Sequence, residues 1–456
     1  MKIYLKDIKE RFPEFEIRNY DENAFFTAFN HDSRTIKDGE IFIPIVGEKF
    51  DGHDFILQAL NDGADMAICE AKKSLLVKDA IKPVILVDSV REGLQKIMSL
   101  YTSHIDAKIM GITGSAGKTT TRKILSTILS CNGSVLSAEG SNINTVWGNA
   151  VLLSKYTDEK YIVLECGMDH PGEIAWHMNS EDPDLGILLN VGYVHAEALG
   201  SIEGVYEEKK NMADYLDRMG RPLILNIDDE RLQRIATIYK SKLVTYGYNA
   251  NADFRIESSV LSQDGIDFKF VYKGNSFTGH LKAYGEKLVY NVVAAIAAAV
   301  ELGVNIEDAL DALKDFEPES GRFEIIPLRS GSFIINDAYN ANPVSMEMSL
   351  NTFNKLYSKE EYKRIVILGD MKELGDVSSK QHKELGELVN KMEFDDVYFL
   401  GEYFKDFGIG EEIRSIPEAV SIIKENLENE KRKLAILCKG SHSTGIFEIP
   451  DLVKSL

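Results

Sequence analysis

The sequence has little that would tie it to a membrane, a nucleic acid or an oxidising compartment. Its longest apolar run, Val292 to Val300, is about half of the ~20 residues a membrane-crossing helix needs. The first residues, MKIYLKDIKERFPEFEI, lack the apolar core of a secretory signal. Cysteine is sparse and scattered: Cys69, Cys131, Cys166 and Cys438 form no CxxC pair and sit beside no His-rich spacing. Neither a zinc site nor a disulfide framework is expected, and free thiols in a reducing cytoplasm fit best. Basic residues are outnumbered, 52 Lys and Arg against 72 Asp and Glu, for a net charge of −20. That balance argues against nonspecific nucleic-acid binding, which needs clustered cations. It still permits an anionic substrate in a local basic pocket. Low-complexity segments and fixed-period repeats are missing too.

What is present is an ordinary globular composition, 44% hydrophobic and 27% charged over 456 residues. That length suits about three domains of roughly 100 to 200 residues each. Short apolar runs alternate with helix-length segments along the whole chain. IFIPIV (41–46), DMAIC (65–69) and PVILV (83–87) read as strands, and GHDFILQALNDGA (52–64) as a helix ending at Gly63. KIMGITG (108–114), YIVLEC (161–166), LGILLNV (185–191) and RPLILNID (221–228) are further strands. Residues 253–283 read as β-hairpins, and VVAAIAAAVELG (292–303) as a helix stopped by Gly303. A third set of strands follows at 332–338, 364–370, 396–401 and 434–440. Strand and helix in alternation predict an α/β fold with parallel sheets. The expected division is 1–105, 106–318 and 319–456: a small α/β domain, a central phosphate-loop parallel-sheet domain and a Rossmann-like C-terminal domain.

The most informative string is GITGSAGKTTT (111–121), between a strand and a helix closed by Asn132 and Gly133. Backbone N–H groups of such a loop cradle phosphates, helped by the dipole of the following helix. Lys118 would reach the β- and γ-phosphates and Thr119 would ligate Mg²⁺. The usual GxxxxGK[ST] spacing needs glycine at position 112, which is Ile112 here; the loop is one residue longer. No NKxD string points to a guanine base. The strand YIVLEC ends in Glu165, a carboxylate suited to a second metal contact.

GSAGKTTT, VLECGMDHPGEI (163–174) and NVGYVHAEALGS (190–201) together resemble the Mur ligase superfamily, which joins amino acids to UDP-muramyl precursors of peptidoglycan. HDSRTIKDGEIFIPIVGEKFDGHDFI (31–56), DAYNANPVSM (337–346), LGDMKELG (368–375) and KGSHSTG (439–445) extend the resemblance through all three domains in order. Together these strings resemble most the branch of that family that adds D-alanyl-D-alanine to UDP-N-acetylmuramoyl-tripeptide. The folylpolyglutamate synthases share the phosphate-loop core but lack the DSR and DGH strings.

The resemblance implies an ATP-dependent amide-bond ligase. ATP phosphorylates the substrate carboxylate, and the incoming amine displaces phosphate from the acyl phosphate. It implies an ATP site at Gly114, Ser115, Gly117, Lys118, Thr119, Thr120, Asn291, Arg322 and Asp337, with Arg322 offering a fixed charge to the γ-phosphate. Metal ligands would be Thr119, Glu165, His195 and Lys209, the last as a carbamate, which converts a cation into an anionic oxygen ligand. Lys210 is the other lysine within reach of that alignment. Lys118, Lys209, His195 and Arg322 would form the catalytic set. The UDP-substrate region falls at Ser33, Arg34, Asp51, Gly52, His53, Asn142 and Asn144. The incoming amine and the C-terminal cleft fall at Tyr339, Asn340 and Asn342.

Several positions depart from the family pattern. Lys287 and Leu288 stand where the family often has His, commonly His-Asn, and NxNNEIGVP reads NINTVWGNA (142–150), with Thr145, Val146 and Ala150 changed. His442 stands where Arg or Asn is usual. These sites bear on the adenine, peptide and amine contacts. The alternatives to the leading reading are a related ligase with another amine or acid, and a nucleotide-switched protein without ligase activity. A monomeric cytoplasmic protein is expected, with domain closure as part of turnover.

Overall fold

The computed structural model describes residues 1–47, 50–138, 144–192, 199–285, 287–372, 374–405 and 408–454. Two compact units divide the chain, and they are not consecutive segments. The first is Met1–Gly111, Gly133–Met168 and Gly172–Leu185; the second is Ile112–Asn132, Asp169–Pro171 and Gly186–Leu456. The phosphate loop and its helix therefore belong with the second unit.

In the first unit a five-stranded sheet runs in the order Glu16–Arg18, Val84–Val87, Met66–Glu70, Glu40–Phe42, Ala28–Asn30. Only the edge strand Glu16–Arg18 is antiparallel to its neighbour. The strand Val84–Val87 is buried along its whole length, as a parallel strand covered on both faces must be. The helix expected at 52–64 forms as a 3₁₀ turn, Gly52–Phe55, running into Ile56–Asp62, and Gly63 ends it with φ +147°. Farther along the same unit, Val135–Ser137 pairs in parallel with Tyr161–Glu165.

The second unit holds two sheets. Leu185–Leu188, Leu223–Asn226 and Leu243–Gly247 pair in parallel. Residues 253–283 form the expected hairpins, with Phe254–Ser262, Gly265–Tyr272 and Asn275–Leu281 antiparallel in sequence. The other sheet has the order Glu324–Pro327, Phe333–Asn336, Lys433–Lys439, Tyr362–Gly369, Asp396–Leu400, Glu411–Glu412. It is parallel except for its first pair. The alanine-rich helix begins at Leu288 rather than Val292, because Leu288 and Val289 are themselves buried and extend the apolar face. No helix among the described residues is long and apolar enough to cross a membrane.

Candidate active site

The strand Lys108–Thr113 leads into the loop, and the helix Lys118–Leu129 leaves it with Gly117 at its N-cap. The loop is tied to the segment after the strand Leu185–Leu188. Ser115 N donates to Asn190 O (3.1 Å), and Ala116 N donates to Asn190 Oδ1 (2.9 Å). Asn190 Nδ2 returns a bond to Ala116 O (3.0 Å). Ser115 Oγ donates to Gly192 O and accepts from Gly192 N. These bonds fix the loop backbone before any phosphate arrives, which lowers the ordering cost of binding. Asn190 lies in the NVGYVH string, yet sequence reasoning did not single it out. Lys118 folds back so that Nζ donates to Gly114 O at 2.8 Å.

Gly117 has φ +88°, a conformation costly for any residue with a Cβ. Asn291 is the fourth residue of its helix, not the cap; Lys287 holds the cap position. The Asn291 amide lies directly against Gly117.

Arg322 meets the first turn of the helix that leaves the loop. Arg322 Nη2 donates to Thr119 Oγ1 at 3.3 Å, and its guanidinium lies 4.1 Å from the Tyr339 ring centroid. Asp337 accepts from Phe323 N (3.1 Å) and pairs with Lys439 (2.9 Å). Lys439 also donates to the carbonyls of Asp337 and Asn340. Burial pushes the Lys439 ammonium below its usual range, and the Asp337 carboxylate opposes that shift. Lys439 closes a buried strand in the KGSHSTG string and went unassigned in the sequence; only its burial beside Asp337 marks it. Asn342 caps the helix Pro343–Leu356 reciprocally with Ser345, so its side chain is already engaged in helix capping. Asn340 Oδ1 accepts from Ala341 N.

Lys209 and Lys210 differ sharply. On the helix Ile202–Met219, Lys209 is 1% exposed, while Lys210 pairs with Asp214 one turn on at 2.6 Å. His195 and Asn142 lie outside the described residues. Glu165, buried, ends its strand in the first unit.

Also in the first unit, Asp51 caps the turn at Gly52 and accepts from His53 N (3.0 Å), the His53 ring (2.6 Å) and Lys73. Burial would raise the Asp51 carboxyl, but the bonds from Lys73 and His53 hold it well below the usual carboxylate range. Lys73 and Glu70 complete this network and carried no motif in the sequence. A Cβ on Gly52 would stand 2.6 Å from Ile45 O, so only glycine fits. Arg34 is largely exposed and pairs with Asp32 at 2.7 Å; Ser33 belongs to the same turn. Asn144 O accepts from Gly167 N at 2.7 Å.

Four departures from the family pattern have local structural surroundings that account for them. Thr145 caps the helix Val146–Leu153 through Gly148 N, Val146 is buried, and Leu288 is core. His442 stacks on Phe447 at 4.1 Å.

One cluster lies beside Glu165 in the first unit. Cys166, His177 and Glu181 bring their polar atoms within 4.8 Å of one another, all buried. His177 Nδ1 and Glu181 Oε1 are 2.6 Å apart, closer than the about 3.3 Å that separates two ligands of a tetrahedral zinc ion. Asn149 Nδ2 donates to Glu181 Oε1 (2.7 Å) and to Glu165 O (3.0 Å), and the Cys166 thiol lies 3.6 Å from Glu181 Oε2. The group is a hydrogen-bonded network around a buried carboxylate.

A phosphate loop closed onto an adjoining strand end, and met by an arginine from another α/β sheet, defines a nucleotide-binding α/β protein of the phosphate-loop class. Three family models match the chain: "Mur ligase family, catalytic domain" over 26–102, "Mur ligase middle domain" over 112–299, and "Mur ligase, glutamate ligase domain" over 321–442. A UDP-N-acetylmuramoyl-tripeptide–D-alanyl-D-alanine ligase of Bacillus subtilis is 32% identical over 433 residues, covering 93% of this chain and 92% of that protein. The Escherichia coli protein of the same name is 28% identical, covering 92% of each chain. The chain belongs to the Mur ligase family. Its fold is that of MurF from Acinetobacter baumannii, with TM-score 0.89, 24% identity and coverage of 100% and 99%. MurF from Thermotoga maritima in complex with ADP matches with TM-score 0.81, 27% identity and coverage of 94% and 97%.

Proposed function

We propose that this protein is an ATP-dependent ligase that joins D-alanyl-D-alanine to UDP-N-acetylmuramoyl-tripeptide, a step of peptidoglycan precursor synthesis. The observation that carries the reading is Arg322 on the Thr119 hydroxyl. A cation from one sheet system stands at the phosphate loop of another, in a chain similar over 93% of its length to a ligase of that name. Two anions, a carboxylate and the γ-phosphate, must approach each other in such a reaction. Lys118 and Arg322 supply fixed positive charge against their repulsion. The carboxylate oxygen attacks the γ-phosphorus and ADP leaves. The amine of the dipeptide then attacks the acyl carbon, and phosphate departs as the amide forms.

Thr119, Glu165, His195 and a carbamylated Lys209 are the proposed Mg²⁺ ligands. A hydroxyl, a carboxylate, an imidazole and a carbamate together suit a hard cation. When bound, the ion would neutralise charge on the phosphates. The burial of Lys209, against the pairing of Lys210 with Asp214 on the outer face of the same helix, supports Lys209 as the lysine of the two that carries the carbamate. We assign the ATP contacts to Gly114, Ser115, Gly117, Lys118, Thr119, Thr120, Asn291, Arg322 and Asp337. The UDP-linked acid falls to Ser33, Arg34, Asp51, Gly52, His53, Asn142 and Asn144, and the dipeptide to Tyr339, Asn340 and Asn342. The three family matches support a division near residues 105 and 318. A monomer acting in the cytoplasm completes the reading.

The test is phosphate release with ATP, Mg²⁺ and UDP-N-acetylmuramoyl-tripeptide, with D-alanyl-D-alanine or single amino acids added in turn. Turnover that requires the dipeptide supports the reading. Turnover with a single amino acid, or with no amine at all, overturns it.

A further inference from the structure

The turn that carries Arg322 is attached to the phosphate-loop helix at two points. Thr119 and Arg122 are three residues apart on that helix, hence on one face, a turn apart. Glu319 and Arg322 are likewise three apart, in a turn closed by Arg322 N donating to Glu319 O at 3.2 Å. The contacts cross: Arg322 reaches the Thr119 hydroxyl, and Arg122 forms an ion pair with Glu319. Arg122 is 1% exposed. A guanidinium stays charged at every accessible pH, so burying it demands a nearby anion, and Glu319 provides one.

The remainder of the turn is over-determined. Ser320 Oγ and Gly321 N both donate to Glu324 Oε2. Phe323 sits at φ +53°, a strained setting for a residue with a Cβ, and is held there by Asp337. A single hydrogen bond of 3.3 Å would leave a long side chain much rotamer freedom. Two anchors one helical turn apart fix both the position and the angle of the segment.

We propose that Glu319 is a positioning residue: its ion pair with Arg122 holds the turn so that Arg322 meets the nucleotide phosphates together with Lys118. This rests on the proposed role of Arg322 at those phosphates. The dependence is on the pair, so loss of Glu319 acts through Arg322 and not on its own.

The test is a double-mutant cycle with Glu319→Ala, Arg322→Ala and both, reading kcat, KM for ATP, and affinity for a non-hydrolysable ATP analogue by calorimetry. Glu319→Ala is expected to lower kcat about 10- to 100-fold. In the Arg322→Ala background it is expected to add no more than about twofold. KM for UDP-N-acetylmuramoyl-tripeptide should stay put, a split that mere unfolding would not produce. Arg122→Lys, which keeps the cation, should retain most of the activity. Independent, multiplicative losses overturn the positioning role. An Arg322→Ala enzyme with unchanged kcat and analogue affinity overturns the role of Arg322 instead. If no substrate pair turns over, the proposed function fails, and the analogue affinities still decide the positioning: equal weakening in all three variants supports it, additive weakening overturns it.

Discussion

Gly117 and Asn291 stand so close that a methyl group on the glycine would lie 2.8 Å from the asparagine amide nitrogen. The contact joins the first turn of the phosphate-loop helix to the first turn of the alanine-rich helix. Gly117→Ala meets both this overlap and a left-handed φ of +88°. Left-handed backbone alone costs a residue with a Cβ about 1–2 kcal/mol. We expect nucleotide affinity to fall at least tenfold, since that strain lies in the loop that cradles phosphate. Calorimetric titration with ADP checks it; affinity within a factor of two of the parent protein would contradict the assignment.

Lys209→Ala should abolish turnover at neutral pH, and short carboxylic acids added to the assay should restore part of it. Lys210→Ala should change kcat by less than about twofold, because its partner Asp214 is an exposed pair one helical turn away. Full activity of Lys209→Ala without additive would remove the carbamate from the proposal.

Removing the Asp51 carboxylate should show in the acid dependence of stability. The folded-state carboxyl is held below its unfolded value of about 3.9. Its stabilising contribution is therefore complete above about pH 4 and is lost as pH falls through the folded value. Asp51→Asn should be less stable than the parent near neutrality, with the gap narrowing as pH drops below about 4. Thermal midpoints across that range test it, and a gap that does not vary with pH would refute it.

His177→Leu leaves the Glu181 carboxylate buried with one donor fewer. Losing one hydrogen bond to a buried polar group costs about 1–3 kcal/mol. A fall of several degrees in the thermal midpoint is expected. An unchanged midpoint would mean that the bond of 2.6 Å contributes nothing net.

Much of the architecture was legible from local pattern. Parallel strands covered on both faces are continuous apolar runs, so 83–87, 161–166 and 434–440 announced themselves. The phosphate loop did the same through its glycines and the GKT at its end. The hairpins of 253–283 followed from alternation and turn glycines. Burial overrode local signals at the start of the alanine-rich helix. Leu288 and Val289 pack inward, which moves the cap to Lys287 and places Asn291 one turn inside.

Local periodicity and turn chemistry act over a few residues, and within that reach the sequence by itself determined the α/β alternation, the loop and its helix. Pairings between distant segments were decided only by the tertiary structure. Lys209 and its neighbour Lys210 read alike in a charge run, and folding buries one and leaves the other paired at the surface. Asp51 met Lys73, Asp337 met Lys439, and Arg122 met Glu319 across gaps of 22, 102 and 197 residues. Nothing in a local string encodes such a meeting. It arises because a charge carried into the interior is stable only where another element delivers its opposite.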